Sequence, residues 1–143
     1  MSALDDAVRT AREGGDYGQL LAQLPYCRFL GAEAALVAGQ VRVHLPFQPL
    51  LVGNTLAKAI HGGVVGASLE MAALLQLIHE RGLPIPKTID FTIDYLRLAR
   101  LESLYAVADV QRLGRRVANV RMRAYQGDEQ QPVALGNGHF LLE

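Results

Sequence analysis

Along this chain the hydrophobic pattern changes period, and the change divides it into elements. Val41, Val43 and Leu45 alternate with Gln40, Arg42 and His44, which predicts a strand with one buried face. Before the turn at Gly39, residues 28–38 are mixed in pattern and are read as another strand. Pro46, Pro49, Gly53 and Asn54 then punctuate a loop that runs to about Ile60. From 62 to 81 the alternation gives way to Val, Ala, Leu and Met with apolar side chains all round, which predicts a long enclosed helix. Gly82 stands where a C-cap belongs, and Pro84 and Pro86 prevent continuation. Period two then returns. Ile89, Phe91, Ile93 and Tyr95 form an apolar set against Thr88, Asp90, Thr92 and Asp94, and runs at 103–113, 116–126 and 132–142 follow, with turns at Gly114 and Gly127-Asp128. Short connections of this kind favour antiparallel hairpins. Residues 3–13 and 17–24 read as short helices, stopped by Gly14-Gly15 and by Pro25.

Strands, one enclosed helix and then a run of strands predict an α+β fold, with an antiparallel sheet wrapped around one long central helix. The whole of 1–143 reads as one domain, with 1–25 as its N-terminal helical segment. Any helix surface that the sheet leaves open needs cover, and self-association provides it cheaply.

Composition narrows the partners. With 143 residues, half of them hydrophobic, the chain is long enough to bury roughly 70% of its unfolded surface. Its 14 basic and 14 acidic residues balance, which argues against nucleic acid as the main partner. Cys27 is the only cysteine and has no partner for an internal disulfide. The first twelve residues carry Asp5 and Asp6 and lack the apolar core of a signal peptide. The tract from 64 to 78, interrupted by Ser68, Glu70 and Gln76, falls short of the roughly 20 apolar residues a membrane span needs. A soluble cytoplasmic protein is expected.

Glu70 is the residue that does not fit its surroundings. An ionised carboxylate in an apolar helix must be paired, protonated or turned to a cavity. A structural glutamate bonded to backbone or to an arginine satisfies that condition as well as a functional one does. The helix start favours function. First-turn N–H groups lack intrahelical acceptors and carry the positive end of the dipole, and Gly62-Gly63 lets a ligand oxygen approach them. That is oxyanion-hole chemistry. Gly62 and Glu70 are eight residues apart, about 12 Å along a helix, so one reacting carbonyl does not readily touch both in one chain. Two antiparallel copies of the helix would bring Gly62 of one chain to Glu70 of the other, giving two equivalent sites per dimer.

Backbone donors with a carboxylate nucleophile or base suit acyl transfer to water, and a thioester is the easiest such substrate because its thiol, with a pKa of about 8.5, leaves readily. No Gly-x-Ser-x-Gly elbow is present, and His44, His61, His79 and His139 lack metal-ligand spacing, so no metal is expected. His44, His79 and His139 read as surface or packed residues. Arg112, Arg115 and Arg116 surround the Gly114 turn, where they suit either nucleotide phosphates or plain solvation.

His61-Gly62-Gly63, followed six residues later by Glu70, resembles the His-Gly-Gly and Asp/Glu core of the PaaI-like hotdog thioesterases, a group that includes one class of 4-hydroxybenzoyl-CoA thioesterase. The similarity runs from about Tyr26 to Leu142. It implies the hotdog fold, hydrolysis of an acyl-CoA, and dimers that often pair into tetramers. It also implies roles. Glu70 is the nucleophile or the base that activates water, and the Gly62 N–H polarises the carbonyl at a helix start shaped by His61. Asn54, with Thr55 as rival, lies near the thioester, and Thr88 matches a position that holds the lytic water. Arg115 matches a basic CoA-contacting position beside Arg112 and Arg116. Apart from the resemblance, Val64, Ala67, Met71 and the loop from Pro46 to Leu56 are read as lining the acyl pocket, and Gly63 as touching the substrate. Leu74 departs from the polar residue that some aromatic-acyl members carry there. No cofactor is implied beyond the coenzyme A of the substrate. A non-catalytic acyl-CoA binder and an enoyl-CoA hydratase are the rival readings; thiol release separates the first from a hydrolase, and water addition reveals the second.

Overall fold

A computed structural model describes residues 1–143. Three helices open the chain: α1 (Ala3–Gly14), α2 (Gly18–Ala22) and α3 (Pro25–Leu30). A capping box starts α1, where Ser2 Oγ accepts from Asp5 N and the Asp5 carboxylate accepts from Ser2 N. The third helix corrects the strand expected from residue 28 and extends the helical segment beyond 25. Pro25 supplies a ready-made first helical turn, and Gly31, left-handed at φ 68°, ends the helix. Extended chain therefore begins only with β1 (Glu33–Val37).

After β2 (Gln40–Leu45), the segment expected to be loop holds a turn of 3₁₀ helix and a small hairpin, β3 (Val52–Asn54) with β4 (Ala59–Ile60). The central helix α4 (Gly62–Arg81) follows, then β5 (Lys87–Tyr95), β6 (Leu104–Leu113), β7 (Val117–Tyr125) and β8 (Ala134–Leu141). Six strands form one antiparallel sheet in the order β1-β2-β6-β7-β8-β5, and α4 packs mainly against its β2, β6 and β7. Alanines at 106, 108, 118 and 124 share one buried core with Leu69, Leu77 and Ile78 of the helix. This is the expected α+β arrangement, a sheet around a long helix with short N-terminal helices.

By length and composition α4 passes for a membrane span, yet two-thirds of its most apolar stretch is buried inside this protein. Its polar residues are satisfied where they lie. Ser68 Oγ donates to Val65 O at 2.6 Å, and Gln76 Oε1 accepts from Val41 N at 2.8 Å, which ties the helix to β2. Enclosure is incomplete along one stripe. Gly63 is exposed, while Ala67, Glu70 and Leu74, at helical spacing from it, are half-buried. Glu70 therefore lies on a stripe that the sheet leaves uncovered.

The N-terminal helices close the far end of α4. Arg12 donates to the carbonyls of His79 (3.0 Å) and Glu80 (3.3 Å), which otherwise lack donor partners at the helix C-terminus. Tyr17 is buried, with its hydroxyl 3.0 Å from His79 Nδ1, and burial pushes its pKa up to about 12. A phenol with a raised folded-state pKa contributes stability that is complete below its ordinary value near 10 and is lost as pH rises towards 12. Denaturation titrations across that window are expected to show a loss of up to ~3 kcal/mol that Tyr17→Phe lacks. Equal alkaline slopes for the two proteins would assign the loss elsewhere.

Strand β5 is an edge strand with a bulge at Ile89. Thr88 pairs with Phe140, but the next pairings are Asp90 with His139 and Phe91 with Gly138. The extra residue reverses which face is which. Thr88 thus lies on the helix-facing side with Phe91 and Ile93, not on the polar side with Asp90, Thr92 and Asp94 as strict alternation predicts.

Candidate active site

Hydrogen bonds and close backbone contacts define the start of α4. His61 is the N-cap, and its Nδ1 accepts from Gly63 N at 2.8 Å. Val64 N and Val65 N both donate to His61 O, at 3.0 and 3.2 Å. That leaves the Gly62 N–H as the first-turn donor without a partner, at the positive end of a twenty-residue helix. The Gly63 N–H, by contrast, is already taken by His61. The hairpin β3–β4 holds this start in place: His61 N donates to Leu51 O at 2.8 Å, and a Cβ on Gly53 would stand 2.5 Å from His61 Cα. Only glycine fits there.

A cavity of about 380 Å³ opens beside Gly62, lined by Gly53, Asn54, Ile60, His61, Tyr95 and Arg97 among others. Asn54 borders it and Thr55 does not. Asn54 Oδ1 is occupied by Leu56 N and Ala57 N, at 3.0 and 2.9 Å, which leaves its amide NH₂ as the group free for a ligand. Tyr95 and Arg97 are not singled out by their sequence context. The nearest signal is the end of the period-two run at Tyr95.

Glu70 is half-buried and accepts a 2.7 Å hydrogen bond at Oε2 from Thr88 Oγ1. No arginine or lysine pairs with it. One carboxylate oxygen is thus fixed, and the bulge at Ile89 is what turns the Thr88 hydroxyl towards it. Neither residue borders the cavity at Gly62. Within one chain the carboxylate and the free N–H stand apart, as the spacing along the helix requires. Ala67 shares the open stripe of Glu70, whereas Val64 and Met71 are buried in the core.

Arg112, Arg115 and Arg116 do gather, with Asn119 and His139, around a depression of about 590 Å³. Glu143 engages Arg116 through Nε and Nη2, at 3.2 and 2.8 Å, and this pairing holds the Glu143 carboxyl below the usual carboxylate range. Arg112 and Arg115 have no carboxylate partner. Leu113, Ala118, Phe140 and Thr88 form one row across the sheet, so the arginine turn lies at the Glu70 end, about 14 Å across three strand spacings. His139 pairs with Asp90 at 2.9 Å; His44 stacks on Tyr105, and His79 meets Tyr17.

Residues 57–133 match the family described as the Thioesterase superfamily. The medium/long-chain acyl-CoA thioesterase YigI of Escherichia coli (strain K12) is 28% identical over 157 aligned residues, covering 99% of each chain. Its namesake in Salmonella typhimurium is 30% identical, covering 90% of this chain and 92% of that one. Among solved structures, a Chromobacterium violaceum protein aligns with a TM-score of 0.74 at 36% identity, over 98% of this chain and 93% of that one. A point mutant of the phenylacetic acid degradation protein PaaI from Thermus thermophilus shares the fold at a TM-score of 0.71 and 23% identity, over 83% of this chain and 99% of that one.

Proposed function

The chain belongs to the thioesterase superfamily, and from that membership we propose that it hydrolyses an acyl-CoA thioester to the free acid and coenzyme A. One observation carries the reading: α4 offers at its start a Gly62 N–H without a partner and, eight residues on, a Glu70 carboxylate held by Thr88 and paired with no cation. The Gly62 N–H would take the developing negative charge of the thioester oxygen. Glu70 then acts in one of two ways. As nucleophile it forms a mixed anhydride and expels the CoA thiolate, and water afterwards cleaves the anhydride. As base it takes a proton from water while hydroxide adds to the carbonyl, and the thiolate leaves with the proton. Thr88, its proton committed to Oε2, keeps lone pairs that can accept from that water. No cofactor is needed beyond the coenzyme A of the substrate.

The site is shared between two copies. Strand β5 leaves one edge of its nine residues unpaired, contains no proline, and carries Ile89 54% exposed. Such an edge invites a second strand. Antiparallel pairing of two β5 strands about a two-fold axis near Phe91 and Thr92 would set Thr88 of one copy against Tyr95 of the other. Thr88 holds Glu70, and Tyr95 lies against Gly62, so the same rotation joins carboxylate and N–H across the interface. Two sites per dimer result, and dimers would pair into tetramers.

Arg112 and Arg115 would grip the nucleotide phosphates. Replacing both with alanine is expected to raise KM roughly tenfold with kcat nearly unchanged, and the rise should shrink at high salt. An unchanged KM would leave the turn merely solvated. The acyl chain is medium or long, like those for which the YigI relatives are named. Thiol release from short, medium, long and aromatic acyl-CoAs tests the whole reading. A preference for chains of medium or greater length supports it; tight binding with no thiol released, or water added to an enoyl-CoA, replaces it with a binder or a hydratase.

A further inference from the structure

We propose that Tyr95 is a positioning residue for the oxyanion donor: its hydroxyl donates to the Gly62 carbonyl across 2.8 Å and pins the helix turn that aims the free Gly62 N–H. This inference rests on the hydrolase reading.

The first turn of α4 needs such a pin. Gly62, Gly63 and Gly66 are, after proline, the residues least favourable to a helix, so this turn tends to fray. The end of β5 lies directly on that glycine face. A Cβ on Gly62 would stand 3.5 Å from Tyr95 Cε1, and one on Gly66 would stand 2.9 Å from Ile93 Cδ1 and 3.6 Å from Tyr95 Oη. Within one chain Tyr95 is 54% exposed, and its hydroxyl is committed to Gly62 O. What it holds is its hydrogen bond, and what that bond steadies is the residue carrying the unpartnered donor. Tyr95 has a single proton, already given to Gly62 O, so it acts through Gly62 rather than on the substrate. The edge strand that would pair with a second copy thereby also sets the geometry of the helix start.

Tyr95→Phe keeps the ring over Gly62 and removes only the hydroxyl. Expected is a roughly 3- to 10-fold fall in kcat with KM within about twofold, the range one hydrogen bond covers, with melting temperature and oligomeric state unchanged. A spectroscopic readout separates positioning from plain stability. In the Glu70→Gln background, the carbonyl stretch of a bound ¹³C-labelled acyl-CoA should move towards its free value when Tyr95→Phe is added. Unchanged kcat and carbonyl frequency overturn the proposal, and so does a fall in kcat matched by lost stability. If the wild type hydrolyses no thioester, the hydrolase reading fails by itself; backbone relaxation at Gly62 in the ligand-free protein then decides the pin, and equal order in wild type and Tyr95→Phe overturns it.

Discussion

Glu70→Gln is expected to lower turnover of the preferred acyl-CoA by at least ~10²-fold while leaving the protein folded. The swap preserves size and shape. The glutamine side-chain oxygen can still accept from Thr88, which donates to Glu70 at 2.7 Å, so the local network survives. No cation faces the carboxylate, so removing its charge strands no partner in a half-buried place. Stability should therefore hold or rise slightly. Lost is the one property on which both mechanisms depend, a carboxylate that donates an electron pair or accepts a proton. KM should stay within a few-fold, because the amide still fills the same space. Initial rates of thiol release, set beside a melting curve and a sizing profile, make the comparison. Turnover within a few-fold of wild type would make Glu70 structural and assign the acyl-CoA reading to binding alone.

The fold was legible where period spoke clearly and illegible where one residue or one turn intervened. The alternation at Val41, Val43 and Leu45 and the long apolar tract of α4 name their elements because burial on one face or all round leaves a periodic trace. The bulge at Ile89 leaves none. One inserted residue moves every following side chain to the other face, so Thr88 reads as solvent-facing although it meets Glu70. Helix α3 escaped because its six residues are too few for a 3.6 period to register, and its markers, Pro25 and Gly31, also suit a turn. Strand β4 has two residues, below any window for alternation.

The candidate site was legible through incompatibility. A carboxylate within an apolar helix and two glycines at its start are both costly locally, and such costs point to chemistry. The commitments of those groups were hidden, because they are tertiary or depend on side-chain rotamers. His61 takes the Gly63 N–H through its own ring nitrogen, so of two apparently equivalent glycine donors only Gly62 stays free. Asn54 spends its oxygen on the turn that follows it. Gly53 reads as loop punctuation, yet it is required by the His61 backbone lying against it. The partnership of Tyr95 with Gly62 joins residues 33 apart, and no local pattern encodes it.

That single free donor makes the shared site testable by complementation. Gly62 is the first residue of α4, where proline is well accommodated, and His61 at φ −56° and ψ 131° already has the backbone that precedes a proline. The Gly62 N–H makes no bond, and a Cβ there meets only an ordinary contact with Tyr95. Gly62→Pro should therefore fold and yet lose about 10²- to 10³-fold in kcat, the cost of deleting an oxyanion donor. Each variant alone, Gly62→Pro or Glu70→Gln, is then nearly inactive. Co-expressed in equal amounts, half of the dimers carry one chain of each kind, and one of their two sites combines an intact Gly62 with an intact Glu70. Activity should return to about a quarter of wild type if the two groups meet across a two-fold interface. With both groups acting inside one chain, every site in the mixture lacks one of them and activity stays at the level of the single variants. Recovery near a quarter thus requires two chains per site, and no recovery, with hetero-dimers confirmed by differential tags, rules out the shared arrangement.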